Sequence, residues 1–218
     1  NFAHFALPFN SWDSVIETYR YAAQINAKHV NNLGVFYSVA NPTGFTRFKD
    51  YIDSKALYNV NVNYNDLLND FFANYFGEAS EPMLKFFNEL NIWMRELQTL
   101  YPDDVKGYCY EAIDKEIYWP KQMLDGWMNL INEAYAKIEK LKDAQPERYE
   151  TLKNHILAES IFPRYALLTY YHGMYDGETL YENRVAFKDD IELLNFGWMT
   201  EADPFTGLKQ YPFSELFK

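Results

Sequence analysis

The spacing of hydrophobic positions changes once along this chain. In the first part, apolar runs of strand composition at residues 2–9 and 33–39 alternate with stretches of helical spacing at 11–26 and 45–57. The run at 2–9 predicts the end of a buried strand or a loop that leaves one, and Ser11 is placed to cap the helix that follows. The order strand end, helix, strand, helix is typical of an α/β repeat.

After these stretches the apolar positions keep helical spacing only, and they predict about five long helices with short connections, which is a bundle. Pro120 interrupts one helix, and Gly77 is placed to end another because glycine tolerates a left-handed backbone. The predicted helices cover residues 64–76, 78–101, 111–142, 146–171 and 180–194, and residues 196–218 form a mixed tail with room for one short strand. The chain is therefore predicted to be mainly α, with a multi-helix bundle in residues 59–218 preceded by an incomplete βα segment in residues 1–58.

The composition adds an unusual supply of large rings to this picture. Of 218 residues, 48% are hydrophobic and 23% charged, which argues against disorder, and there are 19 Tyr, 17 Phe and 5 Trp. Because each ring buries a large area, a sizeable core is expected. Tyrosines and tryptophans crowd residues 108–119 and 165–181, where helical spacing is typical of core packing. The rings of the loop at 172–175 have the better claim to a ligand, since loops carry function more often.

The charge of the chain limits its partners. A formal net charge of −11, without a run rich in Lys or Arg, argues against nucleic acid and against anionic membrane surfaces. No stretch approaches the roughly 18 consecutive apolar residues of a transmembrane helix, so no membrane span is predicted. An acidic surface rich in Tyr and Trp suits neutral polar ligands such as sugars, whose C–H faces stack on rings. Solubility alone explains the charge equally well.

Residues that hold metals or form disulfides are sparse. Cys109 is the single cysteine, so neither an intrachain disulfide nor a cysteine-based zinc site is available. The histidines are His4, His29, His155 and His172, and they lie far apart in the sequence. His155 and Glu159 have the i, i+4 spacing of a helix, which we interpret as an ion pair on the helix surface. No metal site and no cofactor are predicted.

Catalytic signatures are missing as well. The sequence contains no GxSxG, HExxH, P-loop or GxGxxG pattern. Glycosidic chemistry uses two carboxylates across a cleft, and the candidate pairs are Asp103 with Asp104, Asp189 with Asp190, and Glu111 with Asp114. These acids stand at predicted helix starts or exposed positions, where stabilising the helix dipole is the better explanation for most of them. No catalytic residue is therefore predicted.

Several segments together resemble a known family. NFAHF with LPF at residues 1–9, followed by a helix and then GVF at 34–36, resembles the last two βα units of a sugar-hydrolase barrel. DLLNDFF and YFGEA at 66–79 resemble the L-x-x-[DE]-F-x-x-x-[YF]-[YF]-G-x-A segment that follows such a barrel, and residues 187–201 resemble its closing piece. The family is a bacterial domain of unknown function in large exported proteins. It is similar to α-glucuronidases and β-hexosaminidases, with a (β/α)₈ barrel and a helical domain behind it.

This resemblance implies a division of the chain and a location for substrate. Residues 1–58 would be a partial, TIM-barrel-derived remnant, and residues 59–218 the C-terminal helical domain. Active sites of such barrels lie at the C-terminal ends of the strands, so His4, Tyr37 and Asn41 would face the sugar cleft as substrate-binding residues. The catalytic acids would come from earlier strands. Tyr37 occupies a position where the family often has a polar or acidic residue, which weakens a catalytic role there.

The function implied by the resemblance is that of a C-terminal fragment of a glycoside-hydrolase-like protein acting on polysaccharide or glycan. The isolated chain would be inactive, and the whole protein would be secreted, cell-surface or periplasmic in a bacterium. The alternative is a non-catalytic helical module that binds carbohydrate or serves structure and assembly. Two βα units cannot close a barrel, so we expect residues 1–58 to pack irregularly on the bundle or to pair with a second copy in a homo-oligomer.

Overall fold

The computed structural model describes residues 6–30, 43–105, 113–197, 199 and 215–217. Within these ranges the chain forms eight α-helices and no β-strand. The helices are α1 (Ser14–Gln24), α2 (Thr46–Tyr58), α3 (Tyr64–Tyr75), α4 (Ser80–Leu100), α5 (Lys121–Ile138), α6 (Leu141–Ala144), α7 (Pro146–Tyr170) and α8 (Gly177–Leu193). Short 3-10 turns lie at Gly77–Ala79, Glu116–Tyr118 and His172–Met174. The prediction of a mainly α multi-helix bundle is confirmed. The predicted strand at 33–39 lies outside the described residues, and the barrel origin of the first segment stays a prediction.

Local capping residues explain where two of the helices begin. The side chain of Asn63 accepts hydrogen bonds from the backbone N–H groups of Asn65 (2.8 Å) and Asp66 (3.2 Å) at the start of α3. Asp176 does the same for α8, accepting from the Thr179 N–H at 2.9 Å. This cap starts α8 at Gly177, three residues before the predicted start at 180.

The structure decides two predictions near the chain start. Residues 6–9 form a turn and irregular backbone, which agrees with the predicted loop and not with the alternative of a strand end. Ser11 does not cap the first helix, because α1 begins at Ser14, whose hydroxyl donates to the Ser11 carbonyl at 3.2 Å.

The predicted helix that begins at 111 is wrong over residues 113–120 and confirmed after Pro120, where α5 lies. From 113 to 118 only Ile113 and the turn Glu116–Tyr118 are helical, with 3-10 geometry. The reason is a contact within the segment, because the indole of Trp119 donates to the Ile113 carbonyl at 2.7 Å and folds the segment back on itself. Pro120 also disfavours a helical conformation at the residue before it.

The long helix α7 lies at the centre of the bundle. It packs against α5, α6 and α8, and every residue from 156 to 168 except Arg164 is buried. A helix that is buried around its whole circumference belongs to the interior of a domain. The remaining helices continue the packing in order, α5 on α4, α4 on α3, α3 on α2 and α2 on α1.

One hydrophobic core joins residues from both sides of the predicted boundary at 58. Trp12, Phe45 and Phe48 are buried in the same cluster as Phe87 and Phe162. The Phe48 ring lies 5.2 Å from the Phe87 ring in an edge-to-face arrangement, which adds to the area burial. The described residues of the first segment therefore share their core with the bundle, and the boundary itself stays a prediction.

The first two helices lie side by side and run in the same general direction. The Lys49 ammonium lies 5.0 Å from the Trp12 ring centre, and the Tyr19 hydroxyl donates to Asp53 at 2.6 Å. Arg20 Nε then donates to the carbonyl of Val60, after the end of α2, at 2.9 Å. Because these contacts advance along both helices together, α1 and α2 are parallel neighbours.

Candidate functional site

A pocket lies where the C-terminal end of α3 meets the first half of α7. Its volume is about 320 Å³, and it is lined by Ala73, Asn74, Tyr75, Arg148, Thr151, Leu152 and His155. The lining combines an aromatic ring, an imidazole and a guanidinium with small polar side chains. This mixture of ring faces, donors and acceptors is typical of sites for polar organic ligands.

A column of three rings leads from the core to this pocket. Phe71, which is buried, stacks on Tyr75 with ring centres 4.7 Å apart and planes 17° apart. Tyr75 stacks in turn on His155 with centres 3.7 Å apart and planes 6° apart. Positions four residues apart share a helix face, so α3 supplies the first two rings and α7 the third. The column holds the imidazole in a fixed orientation at the pocket wall.

The hydrogen bond of His155 determines which ring nitrogen carries the proton. Nδ1 lies 2.7 Å from the Tyr75 carbonyl oxygen. A carbonyl can only accept, so Nδ1 carries the hydrogen. Burial lowers the pKa of His155, and the Arg47 charge lowers it further although the Tyr75 bond opposes the shift. The ring is therefore neutral near pH 7, with an unprotonated Nε2 that makes no hydrogen bond to the residues the structure describes.

An ion pair forms another side of the pocket. Arg148 Nη2 lies 2.9 Å from Glu78 Oε2. Between them and α3, Gly77 has a positive φ of 52°, and a Cβ there would lie 3.0 Å from Arg148 Nη2. Only glycine combines this backbone conformation with so close an approach. The pairing leaves further N–H groups of the guanidinium available to a ligand.

Behind the ring column, Glu159 joins α7 to the start of α2. Its side chain is buried, with Oε2 accepting from the Phe45 N–H at 2.7 Å, and the Gly44 N–H also donates to it. The surface ion pair predicted between His155 and Glu159 is therefore wrong. The i, i+4 spacing places both residues on one face of α7, but it does not tell whether that face is covered. The apolar residues on every side of Glu159, in ILAESIF at 156–162, were the signal of burial.

Burial also shifts the protonation of this carboxyl and of a nearby lysine. Burial raises the pKa of Glu159 to about 8, against the opposing effect of the Phe45 and Gly44 hydrogen bonds. Burial lowers the pKa of Lys49 to about 7, partly offset by the charge of Glu159. The Lys49 ammonium donates to the Phe9 carbonyl and lies 5.0 Å from the Phe9 ring centre. These groups form a buried ionisable cluster where the first segment meets the bundle.

The residues predicted from the sequence to bind substrate, His4, Tyr37 and Asn41, lie outside the described residues. The acids considered as pairs have other partners. Asp104 accepts from the Tyr118 hydroxyl at 2.7 Å, Asp114 accepts from the hydroxyls of Tyr165 and Tyr170, and Asp190 pairs with Arg164 at 2.6 Å. Among the described residues no group of three His, Cys, Asp or Glu side chains is placed to hold a metal ion.

The described aromatic residues singled out in the sequence follow the expectation of core packing in part, since Tyr181 is 70% exposed. Tyr118, Trp119 and Tyr165 are buried. The loop ring with the better claim to a ligand, Tyr175, lines a hollow of about 160 Å³ together with Met128, Arg164, Leu167, Leu168 and Asn183. This hollow is half the size of the α3–α7 pocket, and its lining has one ring, Tyr175, where the α3–α7 pocket has two. The α3–α7 pocket is the better candidate.

Sequence reasoning missed this pocket because its two stacked rings, Tyr75 and His155, are 80 residues apart. Comparison with protein families, with curated proteins and with solved structures gave no match to the chain. No helix in the described ranges is long and apolar enough to cross a membrane.

Proposed function

We propose that the chain is a helical carbohydrate-binding part of a larger glycoside-hydrolase-like protein, and that the α3–α7 pocket holds a sugar residue. The observation that carries this proposal is the ring column, which ends in a pocket lined by both donors and acceptors. Sugars need this combination, because each ring presents an apolar C–H face and several hydroxyl groups.

The size and polarity of the pocket support a sugar. Its volume of about 320 Å³ lies near the lower end of the ~300–1,000 Å³ usual for small-molecule sites. Asn74 Nδ2 donates to the Asp70 carbonyl at 2.8 Å, which orients the amide and leaves its oxygen to accept. Arg148 supplies donors, and His155 Nε2 supplies a second acceptor.

The charge around the pocket favours a neutral ligand. The guanidinium of Arg148 is paired with Glu78, so the pocket carries little net positive charge of its own. The chain as a whole carries −11 and repels anions. A neutral glycan is therefore a better fit than a phosphorylated or carboxylated one.

The glycoside-hydrolase context rests on the resemblance of residues 1–58 to the end of a sugar-hydrolase barrel. The parallel, adjacent arrangement of α1 and α2 supports it, because successive helices of βα repeats lie in this way. In this proposal the catalytic carboxylates belong to other parts of a secreted or cell-surface bacterial protein. The present chain would bind glycan without hydrolysing it.

The test is isothermal titration of the chain with the tetrasaccharides of glucose, mannose, xylose and N-acetylglucosamine. We expect at least one to bind, and we expect Asn74→Ala and Arg148→Gln each to weaken it about 3–10-fold, the usual worth of one hydrogen bond. Asn65→Ala is the matched control, since Asn65 lies at the other end of α3 and outside the pocket. Absence of binding by all four sugars, or equal losses in the control, would contradict the proposal.

A second candidate, assembly through the first segment, is favoured by exposed apolar side chains. Tyr58 is 94% exposed, Leu57 beside it is 50% exposed, and Tyr21 and Ile25 project from α1 at i, i+4 spacing with 63% and 57% exposure. Exposed apolar groups of this kind mark interaction surfaces when they are contiguous. Sedimentation velocity would show a homodimer that the double variant Tyr21→Ser, Tyr58→Ser dissociates. A monomeric wild type at high concentration would exclude self-assembly.

A further inference from the structure

We propose that His155 determines specificity in the α3–α7 pocket by accepting a hydrogen bond from a ligand hydroxyl through Nε2. This inference rests on the proposed sugar-binding function and names the residue that distinguishes a hydroxyl at one position of the ligand. It follows from three features of the structure, namely the tautomer, the ring orientation and the surrounding charges.

The tautomer is set by the end of α3. Tyr75 is the last residue of this helix, and the Ala79 N–H four residues later donates to the Phe76 carbonyl instead of that of Tyr75. His155 Nδ1–H donates to that carbonyl at 2.7 Å. The proton is thereby held on Nδ1, and Nε2 keeps its lone pair. A neutral imidazole in this state offers one acceptor and no second donor.

The orientation is set by stacking. With its plane 6° from that of Tyr75 and its centre 3.7 Å away, the imidazole cannot rotate without losing both the stack and the Nδ1 bond. Tyr75 is itself held by the buried Phe71. An acceptor fixed before the ligand arrives costs little ordering entropy on binding.

Charged groups from every neighbouring element bear on the imidazole. Arg47 on α2 disfavours protonation, and Arg148 on α7 lies in the same pocket wall. Glu159 follows one turn later on α7 but is bound to backbone N–H groups of the segment before α2. Tyr75 is the contact from α3, and burial raises the pKa of its hydroxyl, so it stays neutral. Near pH 7 these surroundings keep His155 uncharged.

When acid protonates the ring, Nε2 becomes a donor, so the ligand hydroxyl loses the acceptor for its own hydrogen and must turn to accept instead. We therefore expect wild-type affinity for the bound tetrasaccharide to fall once the pH is low enough to protonate the ring. A site built to bind a hydroxyl discriminates strongly against an analogue that lacks it. The deoxy sugar missing that hydroxyl should bind at least tenfold more weakly than the parent.

The experiment compares two substitutions by titration calorimetry with the same four tetrasaccharides. His155→Asn keeps an amide N–H where Nδ1 stands but has no acceptor at the Nε2 position, and we expect it to bind about tenfold more weakly with no pH dependence. His155→Gln places an amide oxygen near the Nε2 position and should recover part of the affinity. Circular dichroism and thermal melting identify variants that have lost the fold, and the comparison is made among those that keep it.

A second measurement does not depend on any sugar. Nitrogen-15 NMR of the histidine side chains distinguishes the two neutral tautomers, and we expect the Nδ1–H form for His155 at pH 7.5. The Nε2–H form would overturn the inference. If the wild type binds a tetrasaccharide but His155→Asn binds it equally well, the inference fails while the proposed function stands. If the wild type binds none of them, both fail.

Discussion

Replacing Glu159 tests whether one buried carboxyl fastens the first segment to the bundle. In Glu159→Ala the backbone N–H groups of Phe45 and Gly44 lose their acceptor at the start of α2. An unsatisfied buried donor costs about 1–3 kcal/mol, and the cavity left in this closely packed stretch of α7 adds to that. We therefore expect the free energy of unfolding to fall by roughly 3–5 kcal/mol.

Glu159→Gln is the matched control because it keeps an acceptor oxygen in a side chain of nearly the same shape. If the hydrogen bonds matter more than the charge, this variant should lose no more than about 1 kcal/mol. Urea unfolding followed by circular dichroism measures the free energy of unfolding of both variants. An unchanged slope of this free energy against urea concentration shows that the unfolding transition itself is unaltered. Two results would refute the reasoning: an alanine variant within about 1 kcal/mol of the wild type, or a glutamine variant as unstable as alanine.

The same residue predicts an unusual dependence of stability on pH. The pKa of Glu159 is raised from 4.5 to about 8 in the folded protein, so its stabilising contribution is complete below pH 4.5 and is lost as the pH rises through 8. The full shift bounds this loss at roughly 5 kcal/mol. The pKa of Lys49 is lowered from 10.5 to about 7, so burying its charged form destabilises the fold below pH 7. This destabilisation is removed as the pH rises from 7 to 10.5. Together they predict a minimum of stability near pH 7–8. A wild type with a flat profile from pH 5 to 10 would contradict this prediction, because the two changes in stability fall in different pH ranges.

Other consequences can be checked by the same unfolding assay. Glu159→Gln should reduce the decline between pH 5 and 8 and leave the part due to Asp50, whose pKa burial raises to about 7. Lys49→Met should remove the recovery between pH 7 and 10. Gly77→Ala should destabilise the fold by about 1–2 kcal/mol because of its positive φ and the approach of Arg148. Gly126→Ala lies within α5 with nothing within 4 Å of a new Cβ, and it should stabilise the fold by about 0.5–1 kcal/mol. Equal effects at the two glycines would contradict the strain assigned to Gly77. Asn63→Ala removes the cap of α3 and should cost about 1 kcal/mol.

Local sequence signals predicted the helices well and the site poorly. The ends of α3 and the start of α7 can be predicted from the sequence, because the residues there fix the conformation of the backbone beside them. These residues are Asn63, Gly77 and Pro146. The segment before Pro120 cannot be predicted in this way, because its shape depends on the Trp119 indole binding the Ile113 carbonyl. Periodicity describes the residues of one helix and carries no information on the partner that covers each face.

The pocket illustrates this limit most clearly. Nothing near Tyr75 in the sequence indicates an imidazole stacked upon it, and nothing near His155 indicates a carbonyl for its Nδ1. Both contacts arise because α7 crosses the end of α3, and this crossing depends on the packing of the whole core.

The central helix therefore serves two purposes on successive turns. His155 faces the α3–α7 pocket, while Glu159, one turn on, faces inward to the start of α2. The positive charge of Arg47 on α2 acts on both residues. It adds to the lowering of the His155 pKa and opposes the rise that burial causes in the Glu159 pKa. Because α2 is held by Glu159, the position of Arg47 beside the imidazole depends on that buried carboxyl. Loss of the Glu159 hydrogen bonds would then alter the protonation of His155 as well as the stability of the fold. The pocket and the attachment of the first segment are therefore coupled through α7.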